Sequence, residues 1–328
     1  MKPAGSLPQP SVPLSSVPSL SVIVPAYGVA HLVGEALRSL QAQSRGDWEA
    51  IVVDDGAWDD VEGALKPFAG DPRIRFLHTG NGGLSAARNN AMAIARAEWI
   101  SLLDGDDIYE PDYVRTMLAA VERDPAVDFL TSDATYFGAD RQGERFSRYH
   151  LQSGPLTLAS VLRRDFNVFV GCTIRREAIR AIGGFDPALR TTEDLDLWVR
   201  LLAAGYRGAY VPEPLVRYRR RAGSLSSDTR SMMAGTRTAY RKFVGLLDAR
   251  PEQEDARHVL ARLEDEQAWQ DGEDLIFEGD AHRGLTLMEG VERRSLRWQV
   301  AMPMMRLFPA LARPMLRARQ WLPKPRYR

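Results

Sequence analysis

The sequence holds one cysteine, Cys172, no net charge and no long apolar run, and each scarcity excludes something. A single cysteine excludes an internal disulfide and any zinc site built on several thiolates, and it fits a reducing, cytoplasmic compartment. The 43 Lys and Arg are balanced by 43 Asp and Glu, so bulk charge points to neither nucleic acid nor an acidic partner. No stretch reaches eighteen uncharged apolar residues, which leaves no expected membrane-spanning helix. The first nineteen residues carry repeated prolines and no apolar block. They are expected to form a flexible Pro/Ser-rich leader (1–19) rather than a secretory signal. Acidic residues are missing from 293–328, which holds ten Lys or Arg.

What is present, from Leu20 onward, is a regular alternation. The apolar runs "SVIVP" (21–25), "WEAIVVDD" (48–55), "RIRFLHT" (73–79) and "WISLLD" (99–104) are expected strands. Helical patterns over 30–43, 60–69, 84–97 and 111–123 separate them. Strands apolar on both faces and joined by helices predict an α/β fold, a mainly parallel sheet covered on both sides. Ligands bind such sheets beyond the carboxyl ends of the strands. Three of those ends read "PAY", "DDG" and "DGDD". A second block follows, with a strand pair or a strand and loop expected over 127–137 and strands over 166–174 and 214–221. A helix over 191–205 is expected to be capped by threonine and stopped by Gly205. From about residue 230 the pattern is helical, giving a predicted extension over 229–328 beyond a main domain at 20–228.

Each polar strand end admits two readings. Asp104, Asp106 and Asp107 stand within four residues, and close carboxylates repel. They fit a hard divalent cation, Mg²⁺ or Mn²⁺, completed by substrate phosphates, or a solvated acidic turn before the helix at Pro111. Asp54 and Asp55 can accept from a ribose or a base imide, or simply form a turn. Tyr27 can flank a base or pack on the sheet edge. "GNGGLSAARN" (80–89) is glycine-rich and opens a helix, but its spacing is not that of a dinucleotide fingerprint. Arg88 in that helix can reach a diphosphate or lie on the surface. In "TTEDLDLWVRLL", Leu195, Trp198 and Leu202 mark a core face. Glu193 and Asp194 at the helix start suit the dipole, and equally suit a general base beside a cleft. The tail, with Trp298, Met304, Leu307, Phe308 and Trp321 among its basic residues, can lie on an anionic membrane surface or pack on the domain. Prolines 303, 309 and 314 are expected to interrupt any long helix there.

In order and spacing, "SVIVPAYG", "IVVDDG", "NGGLSAARNNA", "WISLLDGDD", "GGFDPALRTTEDLDLWVRL" and "RYRRRAGSLS" resemble the inverting, nucleotide-sugar-dependent glycosyltransferases of family 2, with the GT-A fold. The resemblance runs from about Leu20 to Ser227. It implies that Pro25, Ala26, Tyr27 and Asp55 line a nucleotide pocket, with Asp54 in support. Arg88 would contact the nucleotide or its phosphates. Asp104 and Asp106 would form the Asp-x-Asp motif, one on ribose or metal and the other on metal. Asp194 would be the catalytic base, and Glu193 would position the acceptor or the helix. The implied partners are a nucleoside-diphosphate sugar, with UDP the expected carrier, and a saccharide or lipid-linked acceptor in surface polysaccharide or glycoconjugate synthesis. Nucleic acid is not among them. The expected location is cytoplasmic or peripheral on the inner face of the membrane.

Two departures matter. Ala57 and Trp58 follow Asp-Asp-Gly where serine is frequent, and Arg221 stands where the family often has histidine. Arginine stays protonated and cannot ligate a metal. Arg221 would instead pair with the diphosphate, whose oxygens match its fork, and metal dependence is expected to be weaker. Two rival functions use similar parts. A nucleotidyltransferase needs a basic glycine-rich loop after the first strand, yet "PAYGVAHLVGE" has no Lys or Arg. A non-catalytic nucleotide-sugar scaffold would not need Asp104, Asp106 and Asp194.

Overall fold

The computed structural model describes residues 17–291 and 296–320. Most of the leader (1–16) and the end of the basic tail (321–328) lie outside the described residues. The chain divides into two compact units, meeting at Glu252 and Gln253.

The first unit runs β1 (Leu20–Ala26), α1 (Val33–Gln41), β2 (Trp48–Asp54), α2 (Val61–Leu65), β3 (Ile74–His78), α3 (Leu84–Ile94), β4 (Trp99–Leu102), β5 (Ile108–Tyr109) and α4 (Tyr113–Arg123). It continues with β6 (Phe129–Gly138), α5 (Leu158–Leu162), β7 (Cys172–Arg175), α6 (Arg176–Ala181), α7 (Glu193–Ala203), β8 (Gly208–Arg220) and α8 (Thr229–Leu246). The eight strands form one mixed sheet in the order β3-β2-β1-β4-β7-β6-β8-β5. β1 pairs in parallel with β2 on one side and β4 on the other. Chain order therefore reverses at β1, the kind of switch point beyond whose strand carboxyl ends ligands bind in open α/β sheets.

All seven residues of β1 are buried, which is why its sequence is nearly continuous apolar. Its one polar side chain, Ser21, donates to the buried Glu49 at 2.7 Å. Arg75 and Arg96 neutralise Glu49 at 3.2 and 2.8 Å. Gly205, at φ +90°, ends α7 in the left-handed conformation glycine tolerates.

The second block departs from the sequence expectation. Residues 127–137 give a single ten-residue strand, β6. Over 166–174 only the last part, β7, joins the ladder. Phe166, Val168 and Phe169 are buried outside the sheet ladder, Phe166 with only an isolated bridge to Gln152, so their apolarity reports core and not strand. β8 begins at Gly208, earlier than expected, because β6 runs parallel to it from Phe129. Thr192 does not cap α7. It takes a left-handed backbone (φ +62°), and its hydroxyl donates to the Thr191 carbonyl instead.

The second unit is helical: α9 (Glu252–Glu278), α10 (Ala281–Glu289), α11 (Leu296–Leu307) and α12 (Ala312–Gln320). Ile276, Leu285, Met288, Met302, Met305 and Leu316 form its core. Pro303 sits inside α11 without ending it, because Met302 and Met305 on either side are held in that core. No described helix is long and apolar enough to cross a membrane.

Candidate active site

The site is built where β4 runs out. The ladder continues one residue past β4, with the Leu103 amide donating to the Ile23 carbonyl at 3.0 Å. Gly105 then lies under the end of β1. A Cβ there would stand 2.8 Å from the Pro25 carbonyl oxygen, a distance no side chain tolerates. The turn closes with the Asp107 amide on the Asp104 carbonyl at 2.9 Å. Asp104-Gly105-Asp106 is thus pinned against "PAY" by steric necessity.

Three arginines answer the repulsion among these carboxylates. Arg88, from the second turn of α3, is 1% exposed. It donates from Nη2 to Asp104 Oδ1 at 2.7 Å and from Nη1 to Glu193 Oε1 at 2.8 Å. Its guanidinium also lies 5.1 Å from the Phe185 ring centroid. Arg221 donates from Nε to Asp106 Oδ2 at 2.7 Å. The Arg219 amide donates to the buried Asp107 Oδ1 at 2.8 Å, and its Nε donates to the Asp106 carbonyl at 2.7 Å. One side of the motif is therefore tied to α3 and α7, the other to the end of β8. Arg88, expected to contact the nucleotide or its phosphates, is enclosed between Asp104 and Glu193.

Burial dominates the acid strengths. Glu193 is pushed up to about 7 by burial, with Arg88 opposing and Asp194 adding to the rise. Burial also raises Asp194, while the Leu195 amide, Arg88 and Arg164 pull it down. Asp194 Oδ1 accepts that Leu195 amide at 2.7 Å. Its Oδ2 has no hydrogen bond among the described residues. Asp106 is raised by burial and then by Asp104, against Arg221. Asp107 is raised further, by burial and both aspartate neighbours.

Asp54 and Asp55 hold loops. Asp55, buried, accepts from the amides of Gly82 and Gly83 at 3.0 and 2.8 Å and from Thr79 Oγ1 at 3.2 Å, so it shapes the glycine-rich turn before Arg88. Asp54 accepts from the Ala57 amide and contacts His78 Nδ1, both at 2.9 Å. Sequence reasoning missed Asp59, whose carboxylate accepts from the amides of Gly28 and Ala30 at 3.0 and 2.7 Å and so fixes the loop carrying Tyr27. It also gave no role to Trp58, which is 78% exposed and packs beside Gly28. Tyr27 is 47% exposed on the same rim. An acidic run followed by tryptophan directly after a strand was the available signal.

Residues 21–183 match the sequence profile of glycosyl transferase family 2. Over 232 residues the chain is 29% identical to the putative teichuronic acid biosynthesis glycosyltransferase TuaG of Bacillus subtilis, covering 69% of this chain and 88% of that protein. The chain belongs to glycosyl transferase family 2. Several other curated relatives are longer, and this family 2 chain spans 28–31% of their length. Its structure resembles S. aureus TarS 1–349, solved with UDP-GlcNAc, at a TM-score of 0.62 and 17% identity over 90% of this chain and 87% of that one. It also resembles a mannosyltransferase of Pyrobaculum calidifontis, solved with GDP-Man and Mn²⁺, at a TM-score of 0.56 and 17% identity over 90% and 88% of the two chains. The fold of this family 2 glycosyltransferase is therefore GT-A, with added helices at its carboxyl end.

Proposed function

We propose that the chain moves a sugar from a nucleoside-diphosphate sugar, with UDP as carrier, onto an acceptor hydroxyl with inversion at the anomeric carbon. The observation that supports this is one ion-paired unit, Asp104–Arg88–Glu193, which joins the Asp-x-Asp turn to the start of α7, where Asp194 follows Glu193. Asp194 Oδ2 accepts the acceptor's proton as its oxygen bonds to the anomeric carbon. The bond to the diphosphate breaks on the opposite face, and the diphosphate leaves with the electron pair. One base suffices, whereas a glycosidase needs two carboxyl groups flanking the bond. Glu193, held by Arg88, positions the helix start and not the proton.

Asp104 and Asp106 each keep a carboxylate oxygen that no arginine holds. All-oxygen donors of this kind suit Mg²⁺ or Mn²⁺, and the remaining ligands would be phosphate and water. No group of three or more His, Cys, Asp or Glu converges to hold a metal among the described residues, so the protein contributes at most a partial shell. A bound cation would offset charge on the leaving diphosphate. Arg221 supplies a fixed positive charge at the same corner, so we expect cation dependence to be modest. Tyr27 and Trp58 form the rim on which the base rests.

Calorimetric titration of UDP, GDP and dTDP, each with and without Mn²⁺, tests the reading. UDP should bind, with an affinity gain from Mn²⁺ of roughly tenfold or less, equivalent to about 1.4 kcal/mol. A preference for GDP would reassign the carrier. Absence of binding by all three would overturn the nucleotide-sugar donor reading.

The acceptor is proposed to be a saccharide or lipid-linked sugar presented at an anionic membrane surface. Leu307 and Phe308, 76% and 61% exposed, sit at the bend between α11 and α12 with Met304 and Leu311, in a stretch without acidic residues. The protein should co-sediment with phosphatidylglycerol vesicles and not with phosphatidylcholine vesicles. Leu307→Asp/Phe308→Asp should abolish this, and unchanged sedimentation would remove the membrane from the account.

A further inference from the structure

Beyond the donor site, one exposed arginine, Arg164, stands on the turn after α5, the helix packed against the α7 that carries Asp194. Its amide closes on the Val161 carbonyl at 3.1 Å, and the next two amides both return to the Ser160 carbonyl at 2.9 and 3.1 Å. This is a helix end that needs a left-handed residue, and Arg164 adopts φ +65°. Glycine is the unstrained choice there. Arginine costs stability relative to glycine, and such strain is a pointer to function when the side chain has something to do.

The side chain has no structural duty. Its neighbour Arg163 is paired with Asp165 at 2.8 Å, whereas the exposed Arg164 guanidinium makes no hydrogen bond or ion pair among the described residues. The turn is nonetheless firmly placed. Asn167 donates from Nδ2 to the Arg164 carbonyl at 3.2 Å and to the Leu151 carbonyl at 3.1 Å, so Arg164 is stitched to the segment carrying His150. A second left-handed arginine, Arg141 (φ +55°), covers the Tyr149 ring at 4.0 Å on that segment. The charge of Arg164 reaches both neighbours: it pulls the pKa of Asp194 down and, after burial and together with Arg141 and Arg220, keeps His150 neutral at a pKa of about 4. Arg220 itself is paired with Asp140 at 3.1 Å.

We propose that Arg164 binds an anionic group of the acceptor, a carboxylate or a phosphate, next to the hydroxyl that Asp194 deprotonates. This rests on the glycosyl-transfer reading and narrows its acceptor to a charged sugar or a sugar phosphate. A guanidinium matches either oxyanion in a two-point fork. A neutral sugar would leave it unpaired beside the base.

The test uses the full chain saturated with UDP and four probes: glucuronate against glucose, and glycerol 1-phosphate against glycerol. Binding is read by ligand-observed NMR titration. One anion should bind at least tenfold more tightly than its neutral counterpart, and which of the two does so identifies carboxylate or phosphate. Arg164→Gly relieves the left-handed strain, so its melting temperature should hold or rise. It should erase the anion preference and leave UDP affinity unchanged, while Arg164→Lys retains part of the preference. Equal binding of charged and neutral probes, no binding of either anion, or a preference surviving in Arg164→Gly would overturn the proposal with the donor reading intact. Failure of UDP itself to bind would overturn the donor reading first.

Discussion

Asp194→Asn should lower turnover about 10²–10⁴-fold, the usual worth of a positioned general base, with UDP affinity unchanged. The substitution keeps the shape and keeps Oδ1 available to the Leu195 amide, so α7 starts as before. It removes only the ability to accept a proton. In the proposed reading donor binding draws on Asp104, Asp106 and the aromatic rim, and not on Asp194. Burial already raises Asp194, so its ionised form is a stronger base than an exposed aspartate. Single-turnover rates alongside calorimetric UDP titration separate the two effects. Equal loss of rate and donor affinity would move Asp194 into the nucleotide site. An unchanged rate would hand the proton to another group, with Glu193 the nearest.

How far this site could be read in advance depends on where each contact comes from. The strands "SVIVPA", "WEAIVVD" and "WISL" were legible because central parallel strands are apolar on both faces, and polar residues appear only where the strand leaves the sheet. The polar ends of β1 and β4 meet where Gly105 lies under Pro25. The long contacts were not legible. Arg88 was read as reaching a diphosphate or lying on the surface of an alanine-rich helix, and neither reading named Asp104 or Glu193 as its partners. Those alanines let α3 lie close to the sheet, with Ala87 and Ala91 buried, and the long side chain passes inward. Its partners are 16 and 105 residues away in sequence. Asp59 holds amides 29 and 31 residues before it, and no local pattern announces that. Thr192 was misjudged for the opposite reason. Its type favours capping, but its left-handed backbone turns the hydroxyl away from the helix.

Arg88→Met should destabilise the first unit by about 3–5 kcal/mol, the cost of stripping one partner from a buried ion pair. Methionine fills much of the volume, so the loss is electrostatic and not a cavity. With Arg88 gone, Asp104 and Glu193 face one another without a shared cation, on side chains 27% and 10% exposed. Against a typical margin of 5–15 kcal/mol this is a large fraction, read as a lower urea midpoint at an unchanged slope. The pH dependence has a definite sign. Glu193 is raised above its unfolded value, to about 7, even with Arg88 pulling it down. An acid raised on folding contributes less stability as pH climbs through the interval between its unfolded and folded pKa. Without Arg88 that interval extends upward past 7, so the deficit should hold steady between pH 5 and pH 7 and grow as pH rises beyond about 7. Arg88→Met/Glu193→Gln should recover part of it, because the glutamine has no charge to strand. A deficit below about 1 kcal/mol, typical of exposed pairs, would mean that solvent screens both carboxylates. Arg88 would then be free to meet the donor phosphates directly, and the tie between the Asp-x-Asp turn and the base would have to be sought elsewhere.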